Sequence, residues 1–303
     1  MFDISSGSYS DTGDVRQINQ DSVLCRTGVF GKRSVGLFIV ADGCGGLSFG
    51  EEISKLAASY FDQLWNIGLK GLICNKKSTD DDIIEYLEKA ISEINKSAME
   101  FSQQVNEQVG TTLSVLLVIE NKYYIKNIGD SRIYLIRRGE IQQVTEDQSL
   151  VAQMLRNNEL TAEEAKSFKQ KNALTMCVGF FKNLKTYTKT GTLRSGDSFL
   201  VCSDGLYNYI PEEALRLVLS QHSKNDPEEL VMLLRNAIPK GSASDNVSAV
   251  FAHFIKKAYF SPVTLITLFF LVSVFGAIVL REQVSAFYYN VIYPLHFLLP
   301  LDY

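Results

Sequence analysis

Short apolar runs, each closed by a polar or glycine-bearing turn, recur along the first 255 residues. Residues 35–41 (VGLFIVA) carry no charge and read as a buried strand. Residues 113–119, 122–128, 132–137 and 140–144 form a row of strand-like stretches, and Glu120-Asn121 and Arg138-Gly139 between them suit hairpin turns. Residues 186–193, 197–202 and 246–255 return to strand. Helical periodicity appears at 51–69 and in the polar-rich stretch 149–168. Thr79 followed by Asp80, Asp81 and Asp82 has the form of an N-cap with an acidic first turn, opening a helix to about Val105. Residues 211–222 and 227–237 suit helices with proline near their starts. Antiparallel meanders with segregated helices predict an α+β sandwich.

The pattern changes near residue 258. Residues 258–280 (AYFSPVTLITLFFLVSVFGAIVL) hold no charge, and about 20 such residues cross a bilayer as a helix. A transmembrane helix is therefore expected there. Lys256 and Lys257 on one side against Arg281 on the other favour the N-terminal domain on the cytoplasmic face. The start, MFDISSGSYSDTGD, has no basic or apolar leader, so no cleaved signal peptide is expected. The expected organisation is a domain at 1–255, a single span at 258–280 in the inner or cell membrane, and an extracytoplasmic tail at 281–303 rich in aromatics such as Phe287, Tyr288, Tyr289 and Tyr293.

A net charge of -4 gives no basic field for nucleic acid. The five cysteines are odd in number and lack any CxxC, which argues against a disulfide framework. Three histidines without metal-ligand spacing argue against zinc.

Aspartates stand where strands end. Residues 39–43 (IVADG) and 200–205 (LVCSDG) each run from an apolar strand into Asp-Gly, at Asp42-Gly43 and Asp204-Gly205. Asp130 lies between two strands, Asp245 just before another, and Asp21 follows RQINQ. A carboxylate at the edge of a core is costly, and several that converge repel one another. A divalent cation resolves both conflicts, and oxygen-only ligation suits Mg²⁺ or Mn²⁺.

These stretches resemble the bacterial metal-dependent serine/threonine phosphatases of the PP2C (PPM) type. The matching runs are RQINQD (16–21), ADGCGG (41–46) with GEEIS (50–54), GTT (110–112), GDSR (129–132), TEDQS (145–149), LTMCVG (174–179), SDG (203–205) and DNV (245–247), in family order. The resemblance implies a four-layer α-β-β-α sandwich and hydrolysis of phosphoserine and phosphothreonine in proteins by a metal-activated water. It implies two Mn²⁺ or Mg²⁺ ions, with a third, weaker one. Asp42 would bridge two metals, the Gly43 carbonyl would bind one, Asp204 and Asp245 would hold the other, and Asp21 would act through water. Asp130 with Asp204 would hold the third. Arg16 would clamp the phosphate, where a guanidinium suits paired oxygens, and Asn246 would orient its neighbours. The implied partners are a phosphorylated protein and a cognate Ser/Thr kinase or membrane complex.

Three positions depart from the pattern. Cys44 and Leu47 stand where relatives carry a histidine or methionine and a histidine, so neither candidate proton donor is present. Gln148 replaces a histidine. Cys44 invites a cysteine-phosphatase reading, but no CxxxxxR loop follows it. A signalling or scaffold module with weak or no catalysis is the alternative. Residues 150–171 would form the flap beside the site, where substrate selection is expected.

Overall fold

The meanders pair into two antiparallel sheets. In chain order the first unit contains β1 (Phe2–Asp11), β2 (Asp21–Phe30), β3 (Arg33–Gly45), α1 (Gly50–Ile67), α2 (Leu69–Cys74), α3 (Asp80–Val105), β4 (Val109–Thr111), β5 (Leu113–Ile119), β6 (Lys122–Ile128), β7 (Arg132–Arg137), β8 (Glu140–Gln143), α4 (Leu150–Arg156), α5 (Ala162–Lys166), β9 (Tyr187–Thr192), β10 (Asp197–Cys202), α6 (Asp204–Tyr207), α7 (Glu212–His222), α8 (Pro227–Asn236) and β11 (Val247–Lys256). One sheet has the order β1-β11-β10-β7-β8; the other runs β2-β3-β5-β6-β9, with β4 pairing β3. This computed structural model describes all residues except 46–48, 76, 169, 171–172, 223–225, 258–261, 288–289 and 291–303.

Strand alternation sorts the core into three layers of side chains. Phe38 and Val40 of β3 meet Leu116, Phe199, Val201, Val250 and Phe254 between the sheets. Leu37, Ile39 and Ala41, one residue out of phase, face α1 and α3 through Ala57, Phe61, Leu87 and Ile91. On the other side Leu200, Cys202 and Phe251 pack under Leu215, Leu219, Leu230 and Leu234 of α7 and α8. A strand buried on both faces cannot alternate with polar residues, which is why 35–41 reads as one apolar run. The result is the expected α-β-β-α sandwich.

Local signals account for most boundaries. Thr79 and Asp82 form a reciprocal capping box at the start of α3. Glu120 (φ +55°), Arg138 (φ +56°) and Gly139 (φ +83°) supply the left-handed residues of the two hairpins. Two expected helices are divided. Residues 51–69 break at Gly68, where an added Cβ would strike the Tyr86 hydroxyl. Residues 149–168 split into α4 and α5 after Asn157, with Asn158 at φ +58°.

The second unit, Lys257–Tyr303, contains α9 (Pro262–Phe287). Here the expected boundaries change. The helix runs past residue 280 through Arg281 and Glu282, and among the described residues no helix is long and apolar enough to cross a membrane. The reason is partly one of extent: residues 258–261 of the expected span, and most of the expected tail, lie outside the described residues.

Candidate metal and phosphate site

The acids gather where the two sheets deliver their strand ends. Asp21 opens β2 and Asp42 closes β3, and the register sets them directly opposite one another. Like charges so placed are unfavourable. Asp204 begins α6 at the end of β10, and Asp245 precedes β11. Asp130 sits in the turn between β6 and β7.

Backbone geometry fixes these positions. The Asp42 carbonyl accepts from Thr112 N (2.8 Å) and Thr111 Oγ1 (2.9 Å), and its N–H donates to Thr112 Oγ1 (3.0 Å). Gly43 N donates to Gln20 O at 3.1 Å. A Cβ on Gly43 would collide with the Gly50 carbonyl at the head of α1, so only glycine lets β3 pass this close. The Gly43 carbonyl accordingly lies against Gly50, since a Cβ there would sit 3.0 Å from it. Gly205 is required in the same way: its Cβ would run into Asn246 O.

Asn246 is the staple of the site. Its Nδ2 donates to Thr12 O (3.2 Å) and Ile18 O (2.9 Å), and its Oδ1 accepts from Gln20 N (2.9 Å). It therefore ties the loop that carries Arg16, and the approach to Asp21, to the start of β11. Arg16 Nη2 meets Asp245 Oδ2 at 3.1 Å with half of its side chain exposed.

Burial and mutual repulsion dominate the electrostatics of these acids. Burial raises the Asp21 carboxyl to about 7; Ser248 and Ser203 oppose this by hydrogen bonding, and Asp204 and Asp245 add to it. Burial, then Asp21, Asp204 and Asp130, raise Asp42 well above the carboxylate range. Burial and then Asp204 and Asp147 raise Asp130 to about 8. Asp21 Oδ2 accepts from Ser203 Oγ at 2.8 Å, but its buried Oδ1 has no hydrogen-bond partner. Among the described residues no three His, Cys, Asp or Glu side chains close round one point as a ready-made metal cluster. The acids are near enough to raise one another's pKa values without converging. An orphaned buried carboxylate oxygen, beside acids whose only donors are oxygen, fits a hard divalent cation.

The structure also gives roles to residues that the sequence reading left without one, some of them inside the matching runs. Ser203 and Ser248 surround Asp21. Arg132 donates through Nε and Nη2 to Asp147 (3.0 and 2.7 Å) and lies 3.6 Å over the Tyr207 ring, whose hydroxyl donates to Asp130 O at 3.0 Å. The Asp-Tyr part of that platform has no sequence signature, because its members are far apart in the chain. Next to it a cavity of about 350 Å³ is lined by Asp130, Asp147, Val151, Leu155, Ala165 and Tyr207, between the flap helices and the acids. Gln148 fills the histidine position by accepting from Gly129 N (2.9 Å) and donating to Lys185 O (2.7 Å). Cys44 is no nucleophile: its hydrogen bond with Cys177, and burial, raise its thiol well above the ordinary value. Leu47 lies outside the described residues.

Known proteins match this arrangement. The family model described as Protein phosphatase 2C matches residues 14–235. Serine/threonine phosphatase stp of Listeria monocytogenes is 30% identical over 245 residues, 80% of this chain and 92% of that protein. Protein phosphatase PhpP of Streptococcus pneumoniae is 32% identical over 231 residues, 75% of this chain and 90% of that one. Among solved structures, the catalytic domain of serine threonine protein phosphatase PstP in complex with two manganese ions superposes with a TM-score of 0.70 at 26% identity, covering 84% of this chain and 100% of that one. With the sandwich, the strand-end acids and the ordered motifs all in place, the chain belongs to the protein phosphatase 2C family of serine/threonine phosphatases.

Proposed function

We propose that this chain hydrolyses phosphoserine and phosphothreonine in proteins with the help of divalent metal ions, and does so anchored at the cytoplasmic face of the membrane. The observation that supports the reading most is the buried Asp21 Oδ1 without a partner, set opposite Asp42. Bound Mn²⁺ or Mg²⁺ would neutralise the acids and supply positive charge and an activated water. Asp42, the Gly43 carbonyl, Asp204 and Asp245 would hold two ions, Asp21 would support them through water, and Asp130 with Asp204 would hold a third.

Arg16 clamps the substrate phosphate. Its present pair with Asp245 is half exposed, and such pairs contribute at most about 1 kcal/mol, so the guanidinium can leave at little cost. Asn246 holds the Arg16 loop in register while it does so. The half-buried Cys44 thiol, beside Cys177 and raised well above its ordinary value, is a poor proton donor to the leaving oxygen. Solvent must supply that proton, so aryl phosphates, whose leaving group needs less help, turn over faster than phosphothreonine peptides.

The test is phosphate release from a phosphothreonine peptide and from an aryl phosphate, with Mn²⁺, with EDTA and with Asp204→Ala. Metal-dependent turnover lost in the variant is expected, with higher kcat on the aryl substrate; equal kcat would overturn the leaving-group argument. The lack of a histidine at positions 44 and 47 leaves room for a second reading, a signalling module with a weak or silent centre. Folded protein that releases no phosphate with any metal would establish it.

The anchor rests on the uncharged stretch 258–280 and on exposed apolar side chains along α9, among them Phe270, Phe275 and Leu280. The full chain is expected in the membrane fraction and a chain ending at Lys256 in the soluble one. Both in the soluble fraction would remove the anchor from the proposal. A tethered phosphatase meets phosphoproteins of the same membrane at raised effective concentration, and a Ser/Thr kinase must supply them.

A further inference from the structure

The loop that carries Arg16 leaves β1 at Asp11 and is exposed from Asp14 to Ile18. An exposed loop makes a poor mount for a phosphate clamp unless something rigid holds it. Arg235, in the last turn of α8, reaches it from the helix that packs on β1. Its Nε donates to Asp11 Oδ2 at 3.1 Å and its Nη2 to Asp14 Oδ1 at 3.2 Å, with the arginine side chain 15% exposed. Tyr9 donates to the same Asp11 carboxylate. Asp14 then zips the loop to the segment before Asp245: its N–H donates to Ala243 O (2.7 Å) and its Oδ2 accepts from Ala243 N (3.0 Å). Gly13, at φ +71°, has no room for a Cβ against Asp245 O.

Helix α8 is itself closely packed on the sheet. Leu230, Val231 and Leu234 are buried in the core, and at its other end Pro227 and Glu228 lie so close to β1 that a Cβ at Gly7 would be 2.6 Å from Pro227 C. A cation in the last turn of a helix is also favourably placed against its dipole.

We propose that Arg235 is a positioning residue for phosphate binding: held between Asp11 and Asp14, it transmits the rigidity of α8 to the loop and fixes where Arg16 points. This rests on the reading of Arg16 as the phosphate clamp. Neither Asp14 nor Arg235 belongs to the motif stretches that mark the site. It acts on binding rather than on the hydrolytic step, and it does not touch the acids that would hold metal.

The experiment is a double-mutant cycle on the full chain with Mn²⁺ and a phosphothreonine peptide. Arg235→Met keeps most of the stem packing and loses both ion pairs. It is expected to raise KM about five- to tenfold, leave kcat within about twofold and leave Mn²⁺ affinity by calorimetry unchanged. Arg235→Lys, which can still reach one carboxylate, should recover part of the loss. In an Arg16→Ala background, Arg235→Met should raise KM no further, because the two act in series. A KM increase that persists undiminished in that background overturns the inference, as does a fall in kcat as large as the rise in KM. Should Arg235→Met fail to fold, Asp14→Asn takes its place, since its amide oxygen can still accept from Ala243 N. If Arg16→Ala alone leaves KM unchanged, the assignment of Arg16 fails, and that outcome is distinct from a failure of Arg235.

Discussion

Asp42→Asn is expected to lower kcat/KM on a phosphothreonine peptide by about 10³-fold while making the metal-free protein more stable. The two effects have one cause. Asparagine has the volume of aspartate, and the Asp42 backbone keeps its bonds to Thr111 and Thr112. What it loses is a negative charge opposite Asp21 and close to Asp204 and Asp130. Without a metal the acid must either carry that charge in a poorly solvated place or keep a proton that the unfolded chain has released, so replacing it should contribute about 1–2 kcal/mol of stability near pH 7. For a domain of this size that is roughly 2–8 °C in Tm. With a metal bound, Asp42 would be one of the acids that hold it, and its loss would weaken that hold. Steady-state kinetics with Mn²⁺ and thermal melts in EDTA check both halves. Retained activity would remove Asp42 from the centre. Lost activity with no gain in Tm would mean that the acids are solvated well enough to coexist without metal.

Much of this arrangement could be read before any coordinates. The strands of 113–144 are short, mostly buried runs joined by short turns, so the hairpin pairing of β5 with β6 and of β7 with β8 follows from the pattern. Asp42 and Asp204 announce themselves together, because one Asp-Gly after a strand is an ordinary turn but two such copies with three further acids at strand ends are not. Strands β1 and β2 carry no such signal. FDISSGSYSD is mostly small and polar, because β1 is an edge strand whose outer face receives α8 at Gly7 rather than presenting apolar side chains. Proximity between distant residues was equally hidden. Asp21 opposite Asp42 depends on strand register, and Arg235 beside Asp14 depends on how α8 crosses β1; neither leaves a trace in local sequence. The break of the flap into two helices at Asn157 and Asn158 was missed for a different reason. A helical period continued through a pair of asparagines that instead turn the chain, one of them at positive φ.

The metal-free protein is expected to lose stability steadily as pH rises from about 5 to 8, and Mn²⁺ should abolish that loss. Asp21 has its carboxyl raised to about 7, by burial first and by Asp204 and Asp245 after it, and Asp130 is raised to about 8 by burial and then Asp204 and Asp147. In the unfolded chain both titrate near 4. Between those values the folded protein keeps protons that the unfolded chain has released, so stability falls as pH climbs through the window. It is fullest below pH 4, where both states are protonated, and the penalty is complete only above the folded values. At about 1.4 kcal/mol per pH unit, Asp21 alone accounts for roughly 4 kcal/mol across its range. That corresponds to a fall in Tm on the order of 10 °C in EDTA. Mn²⁺ binds the deprotonated acids, so its stabilisation should grow with pH over the same window. Melts in EDTA and in Mn²⁺ at pH 5, 6, 7 and 8 therefore diverge, from nearly coincident at the acid end to widest at the alkaline end. Asp21→Asn should flatten the EDTA series by removing the group with the orphaned oxygen. An EDTA series that is already flat in the parent protein would show that the acids do not share one buried, unneutralised centre, and the metal assignment would lose its electrostatic basis.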